Sequence, residues 1–193
     1  MSDDVKLCNP GAVGLAGFAM TTFILQCHNL GWIGIGPVLW LGIFYGGLAQ
    51  LIAGYHEYKL GNNFGFSAFC SYGAFWIALC FYVIFGTNAE LVKQYPTLKL
   101  TGNDLGWFLV AWTIYTIPMF FAAMKHNGAL ALIFLTLALG FIGLDIKELA
   151  GSKLIGTLAA WDLMVCAFAA WYLMFHVIFA DVGINLPVGK PWM

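Results

Sequence analysis

Four histidines, five cysteines, a few carboxylates and one glycine-rich segment are the groups of this 193-residue chain that could carry chemistry. Histidine ligates haem and shuttles protons, so His28, His56, His126 and His176 are considered first. A membrane haem needs two histidines at matching depth on facing helices. His56 and His126 fall at helix ends, and His176 has no mate within the membrane. They read as caps or as the lining of a vestibule, with a membrane haem or redox protein as the alternative. Cys8, Cys27, Cys70, Cys80 and Cys166 are odd in number, lack a CxxC spacing and mostly sit in apolar runs. They read as small buried hydrophobes rather than metal ligands or disulfides. There is no dinucleotide fingerprint, P-loop or nucleophile motif, so neither an enzyme nor a cofactor is expected.

Carboxylates inside a membrane are usually functional. Asp162 lies about two turns into the last apolar stretch, in Ala159-Ala160-Trp161-Asp162-Leu163-Met164. Glu57 closes the second stretch and is followed at once by Tyr58-Lys59, so it reads as a solvated helix end. With His28 and Asn29, these two are the candidates for a proton relay or a vestibule. A different signal opens the chain at Asn9-Pro10-Gly11-Ala12-Val13-Gly14-Leu15. Asn is a good N-cap, and Pro suits the first helical position, where its missing N–H costs nothing. Gly11, Gly14 and Gly17 keep that helix slim, so another helix or a solute can approach it. Helix starts of this kind attract anions.

The elements that position these groups are set by composition. Hydrophobic residues make up 62% of the chain and charged ones 9%, where a soluble domain carries roughly a quarter charged. So much apolar surface has to face lipid. Six stretches are long enough to span a bilayer, at about 11–30, 34–56, 65–86, 104–124, 127–146 and 154–179. The expected fold is therefore one all-α membrane domain of six transmembrane helices around a narrow pathway. The longest polar loop is 87–103, and Asn103-Asp104 suits a cap for the fourth helix. The acidic start Met1-Ser2-Asp3-Asp4 is unlike a cleaved signal, so the first stretch is expected to stay in the mature protein. Gly42, Gly46, Gln50 and Gly54 recur at steps of four, which places them on one face of the second helix. Small residues at that spacing let helices pack backbone to backbone, whereas an amide such as Gln50 needs a partner at membrane depth.

The missing residues are informative too. All eight basic residues are lysine, and the net charge of −1, with no basic cluster, excludes nucleic acid as a partner. Six spans put both termini on one side. Lys6, Lys59, Lys125 and Lys190 fall on that side and Lys93, Lys99, Lys147 and Lys153 on the other, a tie that leaves orientation open. Without arginine or a central lysine, an anion crossing the membrane has to be met by neutral donors. Helix-start amides, Asn9, Gln50, Thr21, Thr22, Ser71 and Tyr72 are the candidates. Weak neutral coordination suits flux, because a permeating solute must leave as easily as it enters.

Residues 9–22, Asn-Pro-Gly-Ala-Val-Gly-Leu-Ala-Gly-Phe-Ala-Met-Thr-Thr, followed by His28-Asn29, resemble the signature of the acetate uptake transporter family (GPR1/FUN34/YaaH, or succinate–acetate permeases). The likeness continues through residues 42–54, Glu57-Tyr58-Lys59, Gly61 to Gly65 and Ser71 to Trp76, with an echo at Leu186-Pro187-Val188-Gly189. The family motif commonly reads Asn-Pro-Ala-Pro-Leu-Gly-Leu, and Ala12 stands here in place of its second proline. The resemblance implies transport of acetate and related short carboxylates, succinate among them, through the lipid bilayer of the plasma membrane. It also implies a homo-hexamer, cytosolic termini and an apolar constriction. Phe18 and Tyr72 match the first two positions of that constriction, and Leu137 matches the third through the fifth span. A carboxylate sensor without transport is a further alternative.

Overall fold

The computed structural model describes residues 8–101 and 103–193. Six long helices carry the described chain: α1 Gly11–Asn29, α2 Gly36–Lys59, α3 Asn63–Thr87, α4 Asp104–Ala123, α5 Gly128–Ala150 and α6 Lys153–Ala180. Each is long and apolar enough to cross a bilayer, as the composition demands. The helical state follows from the solvent, since lipid leaves every backbone amide to be satisfied within its own segment. The largest departure from the expected ends is in α5, which runs on from 146 to Ala150. Its polar last turns are tolerated because Thr113 Oγ1 donates to Asp145 Oδ2 at 2.6 Å and Lys147 pairs with Glu148 at 2.7 Å.

Local chemistry sets the helix starts. Asn9 Oδ1 accepts from the Gly11 N–H at 2.8 Å, and Pro10 already has helical angles, φ −69° and ψ −18°. Asn62, Asn127 and Ser152 cap α3, α5 and α6 by accepting from the Gly65, Leu130 and Ile155 amides. Asn103 makes no such bond for α4. Instead, Asp104 Oδ2 accepts from the Thr101 N–H at 2.6 Å. The 87–103 stretch is not loop throughout. It contains a short helix, Ala89–Gln94, capped by Asn88 through the Leu91 amide.

Neighbouring helices form a ring. α4 packs on α5, α5 on α6, α6 on α1, α1 on α2 and α2 on α3. The α3–α4 seam is closed by aromatic side chains. Phe75 stacks on Phe108 at 5.8 Å and meets Trp112 edge-on at 5.1 Å, while the Tyr115 hydroxyl donates to the Ser67 carbonyl at 3.0 Å. Aromatic pairs of this geometry are each worth about 0.5–1.5 kcal/mol beyond the area they bury.

The second helix departs from the simple reading. Residues Phe44–Ala49 wind as a π-helix between α-helical Gly36–Ile43 and Gln50–Lys59. A π turn holds an extra residue and rotates whatever follows it. The expected single stripe therefore splits, with Gly46 against Thr21 of α1, and Gly42 and Gly54 against Cys80 and Cys70 of α3. Gln50, the first residue after the wide turn, is carried inward. On α1, Gly17 fits beneath the Tyr45 carbonyl, and an added Cβ would stand 2.5 Å from that oxygen. Because the obstacle is backbone, Gly17→Ala is expected to cost about 1–3 kcal/mol and to lower the detergent melting midpoint by several degrees. An unchanged midpoint, measured by fluorescence-detected size exclusion after heating, would contradict this close packing.

Candidate functional site

Two cavities lie between the helices and meet at three side chains. The first, about 270 Å³, has Asn9, Asn62, Asn127 and His176 on its walls, at the end of the ring where the described chain begins. The second, about 90 Å³, is lined toward the opposite end by Asn29, Leu105, Lys147 and Glu148. Phe18 of α1, Tyr72 of α3 and Leu137 of α5 belong to the walls of both. They are buried, with 6%, 3% and 4% of their surface exposed. The second cavity has about a third of the first one's volume.

The waist is braced from outside. The Tyr72 hydroxyl and Thr116 Oγ1 are hydrogen-bonded at 2.8 Å on the α3–α4 seam, so the phenol is anchored away from the cavities' axis by a fully buried partner. Its ring lies 6.1 Å from Phe18 and within about the same distance of Trp112, Tyr115 and Phe134. Neutral polar atoms flank this apolar ring on both sides. Gln50 belongs to the wall of the first cavity, and Thr22 and Trp76 to that of the second. Gln50 Oε1, Thr22 Oγ1 and Trp76 Nε1 are buried without a hydrogen-bond partner among the described residues.

The wide end is built from helix starts. The caps of α1, α3 and α5 (Asn9, Asn62 and Asn127) all stand on the wall of the first cavity. The partial positive charge of three helix N-termini therefore faces one mouth. Glu57 is not the solvated helix end that its neighbours suggested. It is only 4% exposed, lines the first cavity, and its Oε2 accepts from Asn62 Nδ2 at 2.7 Å. Asn62 thus holds the carboxylate with its Nδ2 and caps α3 with its Oδ1. Gly61, at φ +72°, turns the chain back so that a residue five positions on can reach Glu57.

Of the expected pathway residues, Asn9, Phe18, Gln50, Tyr72 and Leu137 come together on the first cavity. Thr21 and Ser71 line neither cavity. Thr21 is fully buried against Gly46, with Oγ1 3.4 Å from the Leu41 carbonyl, and packs two helices together. Asn29 reaches the second cavity and donates to Gln26 Oε1 at 2.9 Å. His28 lies outside both cavities, its Nδ1 at 3.1 Å from the Ile33 carbonyl. Asp162 stands apart from them as well, in a shallow outward groove between α5 and α6, with Oδ2 unpartnered among the described residues. His126 and His176 line the first cavity. The polar residues that the sequence reading passed over are Asn62 and Asn127. The available signal was an asparagine directly before each apolar run.

These features define an all-helical membrane protein whose two cavities share one apolar waist. The GPR1/FUN34/yaaH family profile matches residues 2–186. The chain is 39% identical to the succinate-acetate/proton symporter SatP of Escherichia coli (strain K12), over 97% of this chain and 98% of that protein. It is 37% identical to acetate permease A of Emericella nidulans, over 86% of this chain and 60% of the relative. A solved structure of the bacterial acetate channel SatP superposes with a TM-score of 0.85 at 39% identity, covering 95% of this chain and 100% of the other. The chain belongs to the GPR1/FUN34/yaaH family.

The double role of Asn62 carries a direct test. Asn62→Ala removes a helix cap and leaves the buried Glu57 short of a donor, a combined loss of about 2–4 kcal/mol. Thermal unfolding in detergent should show a clearly lowered midpoint. A midpoint equal to wild type would mean that Glu57 does not depend on this bond.

Proposed function

We propose that this chain carries acetate and related short carboxylates, succinate among them, across the plasma membrane rather than catalysing a reaction. The observation that carries this reading is the shared waist of Phe18, Tyr72 and Leu137 between two mostly apolar cavities that carry a few polar side chains on their walls. A carboxylate is drawn to the mouth by three helix N-termini, sheds water against amides rather than a fixed cation, and passes an aromatic and aliphatic ring. No lysine lines the first cavity, and Lys147 at the second is paired with Glu148, so no tight anion trap interrupts flux. Asn9 orders the entrance, Gln50 gives the polar contact before the waist, and Glu57 is the carboxyl placed to exchange protons with the first cavity. The sequence resemblance supports cytosolic termini and a ring of six. The exposed apolar face of α2, with Trp40, Phe44 and Leu48, and that of α6, with Leu158, Trp161 and Val165, offer surfaces for lipid and for neighbouring protomers.

Purified protein in liposomes should take up labelled acetate saturably, above the diffusion of acetic acid through protein-free liposomes. Flux no greater than that background would refute the transport reading, and would leave a sensor that binds without transport. Leu137→Ala opens the waist by three carbons, so uptake of a longer carboxylate such as valerate should rise about tenfold relative to acetate. An unchanged substrate ratio would remove Leu137 from the selectivity ring.

A further inference from the structure

We infer that Lys147 is the counter-ion that receives a short carboxylate at the mouth of the second cavity, with Glu148 as the tethered competitor that releases it again. The inference rests on the transport reading and adds a residue that sets affinity at one end of the same pathway. The two ends are built differently. The first cavity has helix starts and Glu57 on its walls but no lysine. Among the described residues, the second has Lys147 as its one lysine and Glu148 as its one acid. Lys147 stands about 15 Å beyond Leu137 along α5, at 1.5 Å of rise per residue, so it meets water rather than the apolar waist.

The local packing keeps this ammonium on the cavity wall. Its stem lies over α6, where Gly156 leaves it room: an added Cβ there would stand 2.6 Å from Lys147 Cδ. The other acid in the last turns of α5 is already engaged. Asp145 Oδ2 accepts from Thr113 Oγ1 of α4 at 2.6 Å, and Asp145 lines neither cavity. Lys147 Nζ therefore pairs with Glu148 Oε1 at 2.7 Å, with 38% and 22% of the two side chains exposed. An ammonium has three donors and no acceptor, so one carboxylate oxygen does not exhaust it. An arriving carboxylate presents the same group as Glu148, and a part-exposed pair is weak enough for the two to exchange. A lysine alone would hold the anion, whereas Glu148 takes the ammonium back and lets the solute move on. A neutral solute of the same size gains nothing from either residue.

Reductive methylation of the detergent-purified full chain, read by mass spectrometry, tests this at the residue itself. Acetate at neutral pH should slow modification of Lys147 by about two- to fivefold, the range open to an exposed ion pair. Lys93, Lys99 and Lys153, which line neither cavity, should keep their rates. Acetamide, a neutral solute of similar shape, should protect none of them when sodium chloride equalises the ionic strength. Protection by acetamide, no protection at Lys147, or equal slowing at every lysine would overturn the proposal. Flux then separates a counter-ion from a packing role. In proteoliposomes at low salt, Lys147→Gln should raise the half-saturating acetate concentration by about two- to fivefold. Glu148→Gln should lower it, and both differences should fade at high salt. A rise in both variants, or an unchanged value in Lys147→Gln, would contradict the assignment. Absence of flux from the wild-type protein would refute the transport reading alone, because the labelling still decides whether Lys147 holds a carboxylate.

Discussion

The cost of placing a carboxyl group in hydrocarbon governs this structure. An ionised carboxylate moved from water into a low-dielectric medium loses tens of kcal/mol of solvation, far more than any one contact returns. A fold that carries such a solute has to supply polar groups in steps and keep the dry section short. Here the wide cavity is met by three asparagine-capped helix starts, then by the amide of Gln50, with Thr22 and Trp76 on the far side. Three side chains, Phe18, Tyr72 and Leu137, stand on the walls of both cavities where they meet. This graded wall and the absence of arginine are one design, since a fixed cation at the waist would hold the anion instead of passing it.

The waist stays narrow because its supports lie outside it. Thr116 fixes the Tyr72 hydroxyl, and the aromatic seam between α3 and α4 holds the phenol ring where two backbones do not meet closely. On the opposite wall, Gly17 lets α1 lie against the Tyr45 carbonyl, which brings the π-helical turn of α2 close. That turn sets the direction in which Gln50 points, so a break in helix geometry serves the site directly. Glycine packing, a π turn and an aromatic seam thus converge on one short constriction.

Much of this was legible in the chain before the structure. The six spans followed from apolar length alone, because lipid permits few other solutions. Asn9, Gln50 and the Tyr72 hydroxyl stood out by chemistry, while Phe18 and Leu137 were legible only through the family resemblance. What stayed hidden depended on contacts distant in sequence or on local winding. Glu57 looked solvated because Tyr58-Lys59 follow it, whereas the turn at Gly61 folds Asn62 back over it. The glycine stripe of α2 assumed a regular period that the π segment breaks. Asp162 stood out as a carboxylate inside an apolar stretch, yet it stands on a groove between α5 and α6, away from both cavities. Thr21 has the chemistry of a pathway hydroxyl but is consumed in packing against Gly46.

The central claim is that two separately accessible cavities meet at one apolar waist. Thiol labelling from each side of the membrane tests it most directly, in protein whose native cysteines have been replaced. Leu15→Cys lies on the first cavity alone and Leu144→Cys on the second alone. A membrane-impermeant thiol reagent should modify the first from one face of the liposome and the second from the other. Modification of both from the same face, or of either from both faces, would contradict a single closed waist at Phe18, Tyr72 and Leu137.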